Sequence, residues 1–277
     1  MNFYDRLDQA LGVNSSLLCV GLDTDIDKIP EHIKKERNSL FVFNKAIVDA
    51  TSDLVSTYKP NSAFYEALGA GGITQLQMTC QYIKKNHPKL LVLLDAKRAD
   101  IGNTNKKYLE YAYDYLGVDA VTIHPYLGEE GIRPFLERKD KGSVILCRTS
   151  NEGAREFQDL VIEKKNKTLF QIVAQNIAQK WNKNKNCMMV IGATYPEEMK
   201  KIRKIAEDVP FLIPGIGAQG GDLESSLKAG LMPDKKGLII SASRSVLYAS
   251  KDKDFADKAR EEAMSLNNSI NSVRKSM

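Results

Sequence analysis

No run of about eighteen apolar residues occurs anywhere in the 277-residue sequence, so no segment is expected to cross a membrane as a helix. Cysteine is scarce. Cys19, Cys80, Cys147 and Cys187 match neither a zinc pattern nor a CxxC redox pair, which excludes the usual cysteine-built sites. Cys19 and Cys147 sit inside apolar stretches and read as buried, reduced thiols. Charge of one sign is not in great excess: 40 basic against 35 acidic side chains leave a net +5, spread along the chain. No basic stripe interleaved with aromatics appears, which argues against nucleic acid and leaves an anionic small molecule compatible. The N-terminal Met1-Asn2-Phe3-Tyr4-Asp5-Arg6 lacks the layout of a signal peptide, and a cytoplasmic address is the default expectation. No Pro/Gly/Ser-rich linker divides the chain, so residues 1–277 are expected to form a single domain.

What is present is alternation. Eight short apolar runs begin at Leu17, Leu54, Leu90, Ala120, Ser143, Cys187, Pro210 and Gly237, ending at Leu22, Lys59, Asp95, His124, Cys147, Ile191, Pro214 and Ile240 respectively. They are continuous rather than strictly alternating, as strands buried on both faces are. Amphipathic helices are predicted between them, including Thr104 to Leu116 with Gly117 as its stop, Leu169 to Trp181, and Phe255 to Val273. Eight strand–helix units with parallel strands predict an α/β fold, a closed (β/α)₈ TIM barrel. The alternative, an open doubly wound sheet, is weakened because no G-x-G-x-x-G follows the first strand. The lysine-rich stretches 163–167 and 182–186 read as solvated loops or helix ends.

In such barrels the loops after the strands build the site, so the strand ends carry the functional information. The third strand runs from Val92-Leu93-Leu94 directly into Asp95-Ala96-Lys97-Arg98-Ala99-Asp100. Side chains two apart on a strand share a face, so Asp95 and Lys97 are expected to project into the barrel mouth, with Asp100 following on the loop. An isolated Asp-x-Lys would read as a surface ion pair. Here Asp23 ends strand one, Lys59-Pro60-Asn61 end strand two, and Ser243-Arg244 follow strand eight. Charge at the same end of several buried strands converges on one site.

Strand seven is followed by Gly215-Ile216-Gly217-Ala218-Gln219-Gly220-Gly221, four glycines in seven residues. Such a segment lets backbone N–H groups approach an anion closely, and Arg244 can add a charge-assisted contact. Loops after strands seven and eight commonly bind phosphate in these barrels. The stretch from Thr149 to Asn166 is long for a strand–helix connection and is expected to be a functional loop.

These residues carry a resemblance. Asp95-Ala96-Lys97-Arg98-Ala99-Asp100-Ile101-Gly102-Asn103-Thr104 fits the signature D-x-K-x-x-D-[IV]-x-x-T of the orotidine 5'-phosphate decarboxylase family without a break. Thr149-Ser150-Asn151 and the segment 192–198 are similar to a largely bacterial branch of it. The resemblance implies decarboxylation of orotidine 5'-monophosphate to uridine 5'-monophosphate, the last step of UMP biosynthesis, with no cofactor and no metal. It implies an alternating-charge array of Lys59, Asp95, Lys97 and Asp100, with Lys97 as proton donor. Asp23, assisted by Asn61, would bind the ribose. Ser150 and Thr149 would meet the pyrimidine edge, Pro214 would line the apolar side of the base, and Gln219 and Arg244 would hold the phosphate. Ser243 stands where many relatives have glycine, and its backbone N–H can still donate there. Asp100, Ile101 and Thr104 would serve the partner's site in a homodimer. His124 reads as structural, because the family chemistry requires no histidine. Related barrels that use magnesium share Asp-x-Lys-x-x-Asp but end strand two with an acidic ligand, where this chain has Lys59.

Overall fold

A computed structural model describes residues 1–216 and 222–277. Eight parallel strands close a barrel in chain order: β1 (Leu18–Leu22), β2 (Thr57–Pro60), β3 (Leu91–Arg98), β4 (Ala120–Ile123), β5 (Gly142–Arg148), β6 (Cys187–Ile191), β7 (Phe211–Pro214) and β8 (Leu238–Ala242), which returns to β1. Every residue of β1, β2, β4, β6 and β8 is buried. This is the burial that continuous apolar runs predict, since side chains fill the barrel on one face and meet helices on the other. All four cysteines are buried free thiols. Among the described residues, no helix is long and apolar enough to cross a membrane.

The N-terminal helix Phe3–Val13, capped by Asn2, closes the barrel floor. Its Phe3 ring fills the space beside Gly142, where a Cβ would lie 2.4 Å from the ring. Next to it the Tyr4 hydroxyl donates to the Cys187 carbonyl at 2.7 Å.

The floor also corrects one expectation. Residues 182–186 are not simply a solvated loop: Asn182 and Asn186 are buried. The Asn182 Oδ1 accepts the N–H groups of Asn186 and Cys187, and Asn186 Nδ2 donates to the carbonyls of Leu136, Arg138 and Lys141. Buried loop backbone needs such partners, and asparagine supplies donor and acceptor on one short side chain. Only the lysines of that stretch decorate the surface.

Two predicted helices are less regular than their periodicity suggests. Gly102–Leu109 is α-helical and then widens into a π turn, Glu110–Tyr115, before Gly117 stops it with φ +72°. Within the wider turn Tyr113 is buried and donates to the Gly142 carbonyl at 3.1 Å. Leu169–Asn176 likewise widens over Ile177–Trp181, while Phe255–Ser276 is one continuous helix. The β5 loop is structured, with a turn of helix at Arg155–Gln158 and a short antiparallel ladder between Val161–Ile162 and Lys167–Thr168.

Candidate active site

The C-terminal ends of the strands surround a cavity of about 550 Å³. Its β1–β4 wall is charged. Lys59 on β2 is almost fully buried (side chain 5% exposed) and lies 3.5 Å from Asp23 Oδ1 and 3.0 Å from Asp95 Oδ2. Lys97 Nζ donates to the other Asp95 oxygen at 2.7 Å, and its side chain stays 52% exposed. The charges thus alternate as Asp23, Lys59, Asp95, Lys97.

Burial alone would push the Asp95 carboxyl up. The ammonium groups of Lys59 and Lys97 outweigh burial and hold it well below the usual carboxylate range. For Lys59 burial favours loss of the proton, but Asp23 and Asp95 reverse this and raise its affinity for the proton. Both groups of this buried pair are therefore charged.

Lys97 reaches the array by a route that simple alternation does not describe. Its φ is +47°, a left-handed conformation that costs an L-residue of the order of 1 kcal/mol or more. The β3–β4 register shifts between Leu94 and Arg98, so the strand bulges there. Thr122 on β4 holds the bulge. Its hydroxyl oxygen accepts the N–H groups of Ala96 and Lys97, both at 2.9 Å, and donates to Asp95 Oδ1 at 2.9 Å. One threonine thus fixes both the lysine backbone and the carboxylate. A lone polar residue inside the apolar run of β4 was the only signal for it.

The β5–β7 wall is mostly apolar, with Leu146, Val190, Leu212, Pro214 and Ile216 facing the cavity beside Thr149 and Ser150. Gly192 is required here, because a Cβ would lie 2.7 Å from that of Ser150. The β8 end contributes Ser243 and Arg244. Gly21 on β1 makes room for the Ser243 hydroxyl, which a Cβ would meet at 1.9 Å. Lys28 and Tyr248 also line the cavity, and neither carried a sequence signal. The Tyr248 hydroxyl donates to the Asp23 carbonyl at 3.0 Å and accepts the Asp25 N–H at 2.8 Å, fixing the turn that carries Asp23.

Nine of the residues singled out in the sequence meet in this cavity: Asp23, Lys59, Asp95, Lys97, Thr149, Ser150, Pro214, Ser243 and Arg244. Asn61 does not line it; its side-chain oxygen instead accepts the Ala63 N–H at 3.2 Å and caps the short helix Ser62–Glu66. Asp100, Ile101 and Thr104 also lie outside the lining. Asp100 is tied locally, its carboxylate accepting the Ile101 N–H and its own N–H donating to Asn105. Gln219 falls outside the described residues. His124 does not line the cavity; its N–H donates to the Arg98 carbonyl at 3.0 Å.

Fold and rim define a (β/α)₈ barrel whose mouth holds a lysine–aspartate charge array opposite an apolar wall and an exposed arginine. The chain belongs to the orotidine 5'-phosphate decarboxylase / HUMPS family, whose model matches residues 16–259. It is 48% identical over 276 residues to orotidine 5'-phosphate decarboxylase of Cellvibrio japonicus, covering 99% of this chain and 100% of that one. It is 47% identical over 261 residues to the protein of the same name from Herpetosiphon aurantiacus, covering 94% and 95%. The structure superposes on Leishmania donovani OMP decarboxylase with a TM-score of 0.86, 34% identity and 99% of both chains covered.

Proposed function

We propose that this chain decarboxylates orotidine 5'-monophosphate to uridine 5'-monophosphate and CO₂, with Lys97 as proton donor. The observation that carries this reading within the family is Lys59. A buried ammonium between Asp23 and Asp95 occupies the end of β2, where the magnesium-dependent barrels place an acidic ligand. A fixed cation there repels Mg²⁺.

The chemistry suits the charge pattern. When the bond from C6 of the pyrimidine to the carboxylate carbon breaks, CO₂ leaves and the electron pair stays on C6, in an orbital outside the ring π system. The Lys97 ammonium, anchored on Asp95 at 2.7 Å, stabilises that pair as it develops. It then gives C6 its proton, leaving a neutral amine that water reprotonates. Thr122 keeps the lysine backbone and Asp95 in place, so little reorganisation is needed at the moment of reaction.

The remaining groups bind the substrate. Asp23 Oδ1 is buried without a hydrogen-bond donor, an acceptor suited to a ribose hydroxyl. The base lies against the wall of Leu146, Val190 and Pro214, with Thr149 and Ser150 at its polar edge. Arg244, with Gln219 and the backbone at Ser243, receives the phosphate. A soluble nucleotide substrate and four buried free thiols fit a cytoplasmic setting.

The test is the ultraviolet spectrum of orotidine monophosphate mixed with purified protein in EDTA, with no cofactor added. Conversion to the uridine monophosphate spectrum is expected at the rate seen without EDTA. An unchanged spectrum from folded protein overturns the assignment, and turnover lost to EDTA moves it to the metal-dependent chemistry.

Asp100, Ile101 and Thr104 complete the site of a second copy in a homodimer. Ile101 is 57% exposed, so its side chain is accessible to a second copy. Lys97→Ala and Asp100→Ala are each expected to be inactive alone. Co-refolded in equal amounts, they should regain about one quarter of wild-type activity, because half of the dimers are mixed and each mixed dimer holds one intact site. No recovery on mixing would mean that Asp100 serves its own chain.

A further inference from the structure

Arg148, the last residue of β5, is fully buried at 0% exposure, and the reaction just described makes no use of it. A guanidinium keeps its charge in a protein, so burying one without a role is costly. The β5–β6 register explains why it is not in the cavity. Leu146 pairs with Val190 and Arg148 with Ile191, so one extra residue, Cys147, is accommodated between them. Leu146 lines the cavity. The bulge turns Arg148 to the outside, where its guanidinium carbon sits 4.0 Å from the centre of the Tyr195 ring and 5.7 Å from that of Phe170.

From there it reaches the middle of the β5 loop. Arg148 Nη1 donates to Gln158 Oε1 at 3.2 Å, and Nη2 lies 3.3 Å from Asp159 Oδ1. Gln158 in turn grips the residue that follows Arg148. Its Oε1 accepts the Thr149 N–H at 2.9 Å, and its Nε2 donates to Thr149 Oγ1 at 2.9 Å. Thr149 Oγ1 donates onward to Asn151 Oδ1 at 2.7 Å. The loop leaves β5 at Thr149 and is pinned back to the strand end at Gln158 and Asp159. Thr149 and Ser150, between strand and pin, face the cavity.

We infer that Arg148 is a positioning residue for base recognition, locking Gln158 and Asp159 so that Thr149 and Ser150 meet the pyrimidine edge of the nucleotide. The inference rests on the reading of the site proposed above. Arg148 touches no substrate atom. Its effect is confined to the part of the ligand that the β5 loop meets, and it leaves the sugar–phosphate end, held by β1, β7 and β8, alone.

The experiment compares two ligands that share a sugar phosphate, one carrying the base and one lacking it. Inhibition constants for uridine 5'-monophosphate and for ribose 5-phosphate are measured with wild type, Arg148→Met, Arg148→Lys and Gln158→Leu, beside thermal melts and the KM and kcat for orotidine monophosphate. Arg148→Met and Gln158→Leu are expected to weaken uridine monophosphate by about tenfold or more, as ångström-scale misplacement of a contact does, with ribose 5-phosphate within about twofold of wild type. KM for orotidine monophosphate should rise in parallel, and Arg148→Lys should recover part of the loss. Gln158 is only partly buried, so that variant keeps the test decisive if Arg148→Met folds poorly. Equal weakening of both ligands, or unchanged uridine monophosphate binding, overturns the inference. If wild type binds ribose 5-phosphate but not uridine monophosphate, the reading of the base-binding wall fails, and the role of Arg148 fails with it.

Discussion

Replacing Lys97 with alanine is expected to lower kcat by about 10⁴-fold or more while the protein stays folded. The magnitude combines two losses. A positioned general acid contributes roughly 10²–10⁴-fold, and a preorganised charge at the atom where an electron pair develops contributes a further ~10²–10³. Lys59, the other ammonium of the charge array, cannot take over both roles. Lys59 is locked between Asp23 and Asp95, and the surroundings that raise its affinity for the proton make it a poor donor. Stability should change little. Lys97 is half exposed, so its removal opens no cavity. Asp95 keeps Lys59 at 3.0 Å and the Thr122 hydroxyl at 2.9 Å. Alanine is no worse than lysine at φ +47°. The cost should be about 1 kcal/mol, a fall in Tm of about 2 °C for a chain of this size. Single-turnover absorbance and a thermal melt read the two quantities separately. Activity within about a hundredfold of wild type would show that another group or water supplies the proton.

How far the site was legible in the sequence depended on whether a residue's role was local. Asp95 and Lys97 could be read because they extend an apolar strand without a break, and a charge there has nowhere to go but the barrel mouth. Strand alternation alone does not place Lys97. Lys97 arrives through a left-handed bulge that Thr122 holds from the neighbouring strand, and that pairing is a property of register, not of either segment. Asn61 followed a strand end and so looked like part of the rim, but an asparagine before Ser62 is also a helix cap, and capping won. Asn182 and Asn186 were hidden by the lysines around them. Asp100, Ile101 and Thr104 carry the family pattern yet lie outside this chain's cavity; a motif match does not by itself distinguish a residue of the chain's own rim from one offered to a second copy, the role proposed for them above. The barrel itself was the easier inference. Eight apolar runs with helical stretches between them admit few arrangements, and no strand limit differs from its apolar run by more than three residues. The largest shifts came where pairing, not hydrophobicity, decides the limit: Leu54 and Val55 lie in the turn before β2, and β3 continues past Asp95 to Arg98.

The second large effect is on stability as well as rate. Asp95→Asn is expected to abolish measurable turnover and to cost about 3 kcal/mol, a fall in Tm of roughly 6 °C. The reason lies in the partner left behind. Lys59 is almost fully buried, and with Asp95 neutral its only carboxylate is Asp23 at 3.5 Å. An uncompensated ammonium in that position is costlier than the loss of the attraction itself. The pH dependence distinguishes this explanation from simple loss of packing. The folded-state pKa of Asp95 is depressed, so its contribution is fully present above its unfolded value, about 3.9, and is lost as pH falls through the folded value. Lys59 has the opposite sign: its raised pKa gives stability that is complete below about 10.4 and is lost as pH rises through the folded value. The Tm difference between wild type and Asp95→Asn should therefore be flat between about pH 5 and pH 9 and narrow only below about pH 4. A difference that already vanishes at pH 5 would mean that burial, not the two lysines, governs Asp95. The carboxylate would then be protonated before it could anchor Lys97, and the charge array would not be the source of the catalysis.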